Sequence, residues 1–108
     1  MSFFSIRDTP YRQKRPGVEI KAFSGQRIQV TIVRLEPGLV SSHQHPEEQK
    51  GYVLSGEKEL IIGEEEKKCA RGHGYSIPGG MLHSLRVASG QPVELLEIFS
   101  PPKEENRI

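Results

Sequence analysis

The chain is predicted to fold as an all-β sandwich or barrel. Apolar residues alternate with polar ones over several short stretches, Gly- and Pro-containing turns separate these stretches, and no segment shows the period of a helix. Alternation places every second side chain on the same face of a strand. Many short strands at close intervals are typical of two-sheet and barrel folds.

Length and composition indicate one domain with a modest core, since the chain has 108 residues. Apolar residues make up 34% and cluster in alternating runs, which distinguishes the chain from a disordered one. The formal net charge of +1, without a basic stripe, argues against a nucleic-acid partner. We find no long apolar run and no signal-like leader, and therefore expect a cytoplasmic protein that does not contact a membrane.

We divide the chain into an N-terminal arm (1–16), a barrel (17–100) and a polar tail (101–108). The arm is predicted to contain one short strand. Its paired Phe3 and Phe4 are expected to pack on the barrel or on a second copy of the chain, because exposed paired phenylalanines favour aggregation. We therefore expect a homodimer formed through the arm.

The barrel strands lie between successive turn signals, such as Ser24-Gly25 and Pro37-Gly38. An acidic stretch at 63–66 is predicted to be a hairpin loop. The lone Cys69 has no internal disulfide partner and is expected to be a half-buried strand thiol. We predict strands at 17–23, 26–35, 58–62, 68–71, 75–77, 81–87 and 93–99. A further strand is predicted to begin at Gln49.

A histidine pair precedes the strand opened by Gln49. His43 and His45 are two residues apart, so in an extended segment both imidazoles point the same way. A turn beginning at Pro46 would let Gln49 face back toward the pair. Glu48 competes for this position because it carries a charge, but a shift of one residue turns a strand side chain to the opposite face. Only one of the two can therefore face the histidines.

Two segments of the chain resemble the two sequence motifs of the cupins: Gly38-x4-His43-x-His45-x3-Gln49-x6-Gly56 and Gly72-x5-Pro78-x-Gly80-x2-His83. The resemblance covers nearly the whole chain and implies a double-stranded β-helix, or jelly-roll barrel. The chain departs from the common motifs in three places. Gln49 stands where the first motif usually has a glutamate, Val87 stands where the second often has an asparagine, and the first Gly-to-His gap is one residue shorter.

The resemblance implies a metal site on His43, His45, Gln49 and His83. Neutral imidazole is the commonest protein ligand for borderline divalent ions, so we expect one divalent transition metal among Mn, Fe, Co, Ni and Zn. An amide adds no negative charge, so the ion would keep its full positive charge and attract an anionic oxygen. His73 lies outside the motifs and is expected to be a loop residue.

The last predicted strand carries Glu97 in phase with apolar residues, where a carboxylate is uncommon unless it is paired or functional. Glu97-Ile-Phe99-Ser-Pro-Pro-Lys103, together with the first motif, resembles the small pectin-degradation cupins, which linearise 4,5-unsaturated uronates. In that family Glu97 corresponds to a catalytic aspartate, Phe99 to a phenylalanine and Lys103 to an arginine. The structural alternative is that Glu97 pairs with a basic residue such as Arg27.

These observations predict metal-dependent ring opening and ketonisation of an unsaturated uronate or related anionic sugar acid. Glu97 would move a proton between oxygen and carbon, Phe99 would shape the pocket, and Lys103 or Arg27 would steer the substrate carboxylate. Two alternatives come from other classes. A metal-dependent dioxygenase could use the same ligands with Fe(II), and a non-catalytic cupin could bind a small molecule.

Overall fold

The structure is a computed structural model that describes residues 2–88 and 90–107. Its strands are β1 (Arg12–Arg15), β2 (Val18–Ser24), β3 (Gln29–Leu35), β4 (Val40–His43), β5 (Glu48–Ser55), β6 (Glu57–Ile62), β7 (Glu65–Ala70), β8 (Gly74–Ile77), β9 (His83–Val87) and β10 (Val93–Ser100). A 3-10 turn, Glu104–Asn106, follows the last strand. No helix in the described residues is long and apolar enough to cross a membrane.

The strands form two antiparallel sheets, which confirms the predicted all-β class. The six-stranded sheet has the order β1-β2-β3-β10-β5-β8, and the four-stranded sheet has the order β4-β9-β6-β7. The chain changes sheets at several connections, and the tightest in sequence is at Gly56, between β5 and β6. The φ angle of Gly56 is 77°, and a Cβ atom there would lie 2.5 Å from the carbonyl oxygen of Pro92. Glycine tolerates both constraints, and a side chain does not.

The interior between the sheets has two ends of different chemistry. Strand β10 lies between β3 and β5 and supplies inward residues to both ends. One end, which we call the apolar end, is formed on these three strands by Val33, Leu35, Val53, Val93 and Leu95. The polar end is formed on the same strands by Gln29, Thr31, Gln49, Glu97 and Phe99, all buried.

Strand β7 differs from its prediction at 68–71, because it begins at Glu65 and so includes half of the stretch 63–66 that was predicted to be a hairpin loop. It is an edge strand of the four-stranded sheet and pairs with β6 alone, so most of its side chains face solvent and carry charges. Because this pattern is polar, the first half of β7 could not be recognised from an alternation of apolar residues. Cys69 is the exception on β7: it is only 3% exposed and packs in the core, so the half-buried thiol that we expected is in fact buried.

The N-terminal arm contributes β1 to the edge of the six-stranded sheet. Phe4 stacks on Phe23 of β2, with ring centroids 4.3 Å apart, so one of the paired phenylalanines packs on the barrel. Phe3 is 89% exposed. Dimer formation through the arm stays a prediction.

Candidate functional site

A cavity at the polar end is lined by residues of both sequence motifs, and it reaches the apolar end, where Val33, Leu35 and Leu95 also line it. His43 ends β4 and His83 begins β9, and the two residues are directly opposite each other in the β4–β9 pair. Gln49 enters from β5 of the other sheet, with its side chain inward and only 5% exposed. Glu48 is exposed, so of the two rivals Gln49 is the residue that faces the histidines.

Two of the imidazoles are close together and similarly anchored. The ring centroids of His45 and His83 are 4.9 Å apart. Nδ1 of His45 lies 3.1 Å from the carbonyl oxygen of Glu47, and Nδ1 of His83 lies 3.0 Å from that of Met81. A carbonyl oxygen only accepts, so in each ring the tautomer with the proton on Nδ1 satisfies this contact and leaves a lone pair on Nε2. Metal-bound histidines in proteins are commonly anchored in this way.

Gln49 is oriented by Glu97. Its Nε2 donates to Oε2 of Glu97 over 2.5 Å, which leaves its Oε1 3.1 Å from Nε2 of His45. With the proton of His45 on Nδ1, a lone pair of the imidazole faces the amide oxygen, an arrangement that a cation stabilises; with the proton on Nε2, the ring donates to that oxygen. A glutamate at this position would place its carboxyl group against that of Glu97, and the two negative charges would repel each other. This gives a physical reason why the chain has Gln49 where the common motif has a glutamate.

His43 is held differently from the other two. Its centroid lies 5.8 Å from that of His83, and its Nε2 lies 3.1 Å from Nη2 of Arg15 and 2.7 Å from Oγ of Ser41. A guanidinium only donates, so Nε2 of His43 is the acceptor and the ring is neutral. Burial, reinforced by the positive charge of Arg15, lowers the pKa of His43 to about 4. Burial also lowers the pKa of His83.

Within residues 2–88 and 90–107, no three His, Cys, Asp or Glu side chains stand in the arrangement of a metal site. The lone pair on Nε2 of His43 is turned to the guanidinium of Arg15. The donor chemistry nevertheless fits a borderline divalent ion: the Nε2 lone pairs of His45 and His83 and the oxygen of Gln49 are available.

Glu97 belongs to a buried hydrogen-bond network. Its Oε2 also accepts a 2.7 Å bond from the hydroxyl of Tyr75, and that hydroxyl accepts a 2.9 Å bond from Nζ of Lys58, which is 2% exposed. Burial raises the pKa of Tyr75 well above its ordinary value and lowers that of Lys58. Arg27 is exposed and makes no contact with Glu97 in the described residues, so the expected pairing of the two was wrong; a role of Arg27 in steering a substrate stays a prediction.

Phe99 and Lys103 lie beside this network at the mouth of the cavity. The ring of Phe99 is 4% exposed and meets His45 edge-on, with centroids 5.9 Å apart. Nζ of Lys103 lies 5.3 Å from the centre of the Phe99 ring and 2.7 Å from Oε1 of Glu105. Both residues are therefore placed where an occupant of the cavity would touch them.

Sequence reasoning missed several residues that line the cavity. Lys58 and Tyr75 carried a signal, because each is in phase with buried apolar neighbours of its own strand. Lys14 and Arg15 carried none. An irregularity in the pairing of β1 with β2 lies beside them, and such a bulge lets consecutive side chains face the same side.

The lining of the cavity is electropositive. Among the described residues that line it, Glu97 is the one acidic side chain. Four side chains of the lining are basic: Lys14, Arg15, Lys58 and Lys103. Burial and the charge of Lys103 lower the pKa of Lys14 to about 8. An anion is therefore the ligand that this lining favours.

The fold and this cavity define a small two-sheet β-barrel with a histidine cluster at one end. A family model described as a cupin domain matches residues 31–99. The chain belongs to the cupin family, and the jelly-roll fold implied by its two motifs is confirmed.

Three similar proteins illustrate the family. The uncharacterized protein SCO3923 of Streptomyces coelicolor is 26% identical over 93 residues, which cover 85% of this chain and 88% of that protein. The structure of KdgF from Halomonas sp. superposes with a TM-score of 0.87 at 23% identity and 97% coverage of both chains. An RmlC-like cupin from Shewanella frigidimarina superposes with a TM-score of 0.88 at 19% identity, covering 97% of this chain and 95% of that one. At these identities the two structures support the fold alone.

Proposed function

We propose that this protein binds one divalent transition metal through His43, His45, Gln49 and His83. We further propose that it opens and ketonises 4,5-unsaturated uronates or closely related anionic sugar acids. The observation that carries the proposal is the position of Glu97: its carboxyl group lies against the amide of Gln49, inside a cavity lined by basic side chains. An acid-base group thus stands beside the proposed metal ligands, where an anion is favoured.

A bound divalent ion would supply Lewis-acid polarisation of a substrate oxygen. The proton transfers belong to Glu97. Its Oε2 accepts hydrogen bonds from Gln49 and Tyr75, whereas its Oε1 receives none from the described part of the chain. Glu97 is therefore held by one oxygen and can exchange a proton through the other.

The reaction is an isomerisation and needs neither water nor an oxidant. The hydroxyl at C1 of the cyclic uronate loses its proton, the bond from C1 to the ring oxygen breaks, and that oxygen becomes part of an enol at C5. Glu97 carries the proton and delivers it to C4 as the enol becomes a ketone. Phe99 covers the face of the cavity beside His45, and Lys103 supplies a point charge for the substrate carboxylate.

The test follows the ultraviolet absorbance of the conjugated double bond of unsaturated galacturonate. We expect the cobalt-loaded protein to remove this absorbance faster than buffer with cobalt alone. Glu97→Gln should lower the rate by about a hundredfold or more, because it cannot carry the proton. Glu94→Gln, on the opposite face of the same strand, should retain the rate.

A cobalt-loaded protein that gives no acceleration would refute the proposal. Oxygen consumption with an organic substrate would then favour a dioxygenase. Tight binding of the uronate without turnover would favour a non-catalytic cupin.

A further inference from the structure

The contact between Arg15 and His43 joins two functions that use the same lone pair. The guanidinium donates to Nε2 of His43 over 3.1 Å. In a neutral imidazole whose proton is on Nδ1, Nε2 has the only in-plane lone pair. The hydroxyl of Ser41, 2.7 Å from the same Nε2, can turn its proton away, but a guanidinium only donates, so the lone pair cannot serve Arg15 and a metal ion at once. Metal binding through Nε2 of His43 therefore requires Arg15 to leave.

Two lysines line the same cavity as Arg15. They are Lys14 and Lys103, and Oε1 of Glu105 lies 3.3 Å from Nζ of Lys14 and 2.7 Å from Nζ of Lys103. Both lysines thus share one carboxylate. Arg15 forms no ion pair with any carboxylate in the described residues, and its hydrogen-bonding contact within them is His43.

We propose that Arg15 competes with the metal ion for His43 and, once displaced, binds the carboxylate of the anionic ligand, so that metal and anion bind cooperatively. The inference rests on the metal site and the anionic ligand of the proposed function, but not on turnover. A planar guanidinium presents paired donors that match a carboxylate, which makes a freed Arg15 better suited to this role than either lysine.

Charge explains the cooperativity. Three imidazoles and an amide add no negative charge, so a divalent ion would join a cavity that already holds several basic side chains. The repulsion between the ion and the freed Arg15 is relieved when a carboxylate binds between them. By linkage, the factor by which the anion raises the affinity for the metal equals the factor by which the metal raises the affinity for the anion.

The first measurement is calorimetric titration of the full chain with Co(II). Arg15→Met removes the competitor and a positive charge, so we expect it to bind Co(II) about fivefold or more tightly than the unaltered protein. Arg15→Gln should behave in the same way and provides a second variant if the first folds poorly. Arg27→Met makes the same change of charge on an exposed residue and should leave the affinity unchanged.

The second measurement uses galacturonate, which has no double bond to react, as the anion. The cobalt-loaded protein should bind it about fivefold or more tightly than the metal-free protein, and Arg15→Met should abolish this gain. Opposite effects on the two affinities distinguish the proposed role from a structural one, because a damaged fold would weaken both.

Unchanged or weaker cobalt binding in both Arg15 variants would overturn the inference, as would a galacturonate affinity that does not depend on metal. A protein that takes up no cobalt would refute the metal site of the proposed function and this inference with it. Cooperative binding lost in Arg15→Met, in a protein that does not convert unsaturated uronate, would refute the reaction alone.

Discussion

The apolar end and the polar end of the barrel interior are built on the same strands but differ in the chemistry of their side chains. Along β10, Val93 and Leu95 are 0% and 1% exposed at the apolar end, and Glu97 and Phe99 are 8% and 4% exposed at the polar end. The side chains at the two ends are thus buried to nearly the same degree. The apolar ones need only van der Waals contact, whereas the carboxyl group of Glu97 needs the hydrogen-bond donors that Gln49 and Tyr75 supply.

The difference shows how one small domain separates stability from chemistry. Apolar burial stabilises the fold through contacts that any well-fitting side chain can make. Buried polar groups are tolerated only when each is paired, and they contribute less net stability. We therefore expect substitutions at the apolar end to unfold the protein, and those at the polar end to change its chemistry at smaller cost in stability.

The largest effect is expected at the apolar end. Leu95→Ala removes a fully buried side chain and leaves a cavity, so it should lower the free energy of unfolding by about 2–5 kcal/mol. Urea titration followed by circular dichroism measures this. Leu96→Ala, on the half-buried outer face of β10, should cost less. If Glu97→Gln destabilised the protein more than Leu95→Ala, the proposed division of labour would be wrong.

Gly51→Ala tests steric fit at the polar end. A Cβ atom at position 51 would overlap the ring of Tyr75, so the ring must move and carry its hydroxyl away from Glu97. We expect a loss of about 1–3 kcal/mol in unfolding free energy and a change in the near-ultraviolet dichroism of tyrosine. The matched control is Gly74→Ala, whose Cβ would meet only the carbonyl oxygen of Gly51, at 3.3 Å. Equal losses in the two variants would contradict the steric argument.

Tyr75→Phe keeps the ring and removes the hydroxyl between Lys58 and Glu97. Each partner loses one hydrogen bond, so we expect a cost of about 1–2 kcal/mol in urea titration. Because Gln49 still donates to Glu97, cobalt affinity should change little. Tyr52→Phe, at an exposed position, is the control and should leave stability unchanged. A gain in stability from Tyr75→Phe would show that the network is not satisfied as described.

The smallest effect is expected at the rim of the cavity, where Glu105 pairs with Lys103 and Lys14. The hydrogen bond from Lys103, reinforced by the charge of Lys14, lowers the pKa of Glu105 from 4.5 to about 2. A folded-state pKa below the unfolded one means that the stabilisation is complete above about pH 4.5 and is lost as the pH falls toward 2. Glu105 is half-exposed, so solvent screening limits the contribution to less than about 1 kcal/mol.

Glu105→Gln should therefore differ from the unaltered protein at pH 6 and match it near pH 2. Thermal unfolding over this pH range, repeated in high salt, measures the effect, and salt should reduce it. Glu104→Gln changes an exposed surface pair with Arg107 and is the control. A difference that persists below pH 2 would exclude the ion pairs as its cause.

The sequence by itself determined the all-β class, the cupin motifs and the inward phase of Glu97 and Phe99. Each of these is local, because a period of two and a turn residue can be recognised within a few positions. The same rule showed that only one of Gln49 and Glu48 can face the histidines, and the spacing of the cupin motif selected Gln49. Lys58 and Tyr75 could have been found by that rule as well.

Only the tertiary structure decided which residues meet. The pairing of Gln49 with Glu97 depends on the register of β5 against β10, which lie far apart in the chain. The contact of Arg15 with His43 depends on the edge strand β1 and on its irregular pairing with β2. The basic stretch of the arm has no periodic pattern from which this pairing could be predicted. Local patterns fix the face of a strand, but long-range register fixes the neighbours, and in this protein the neighbours decide the chemistry of the site.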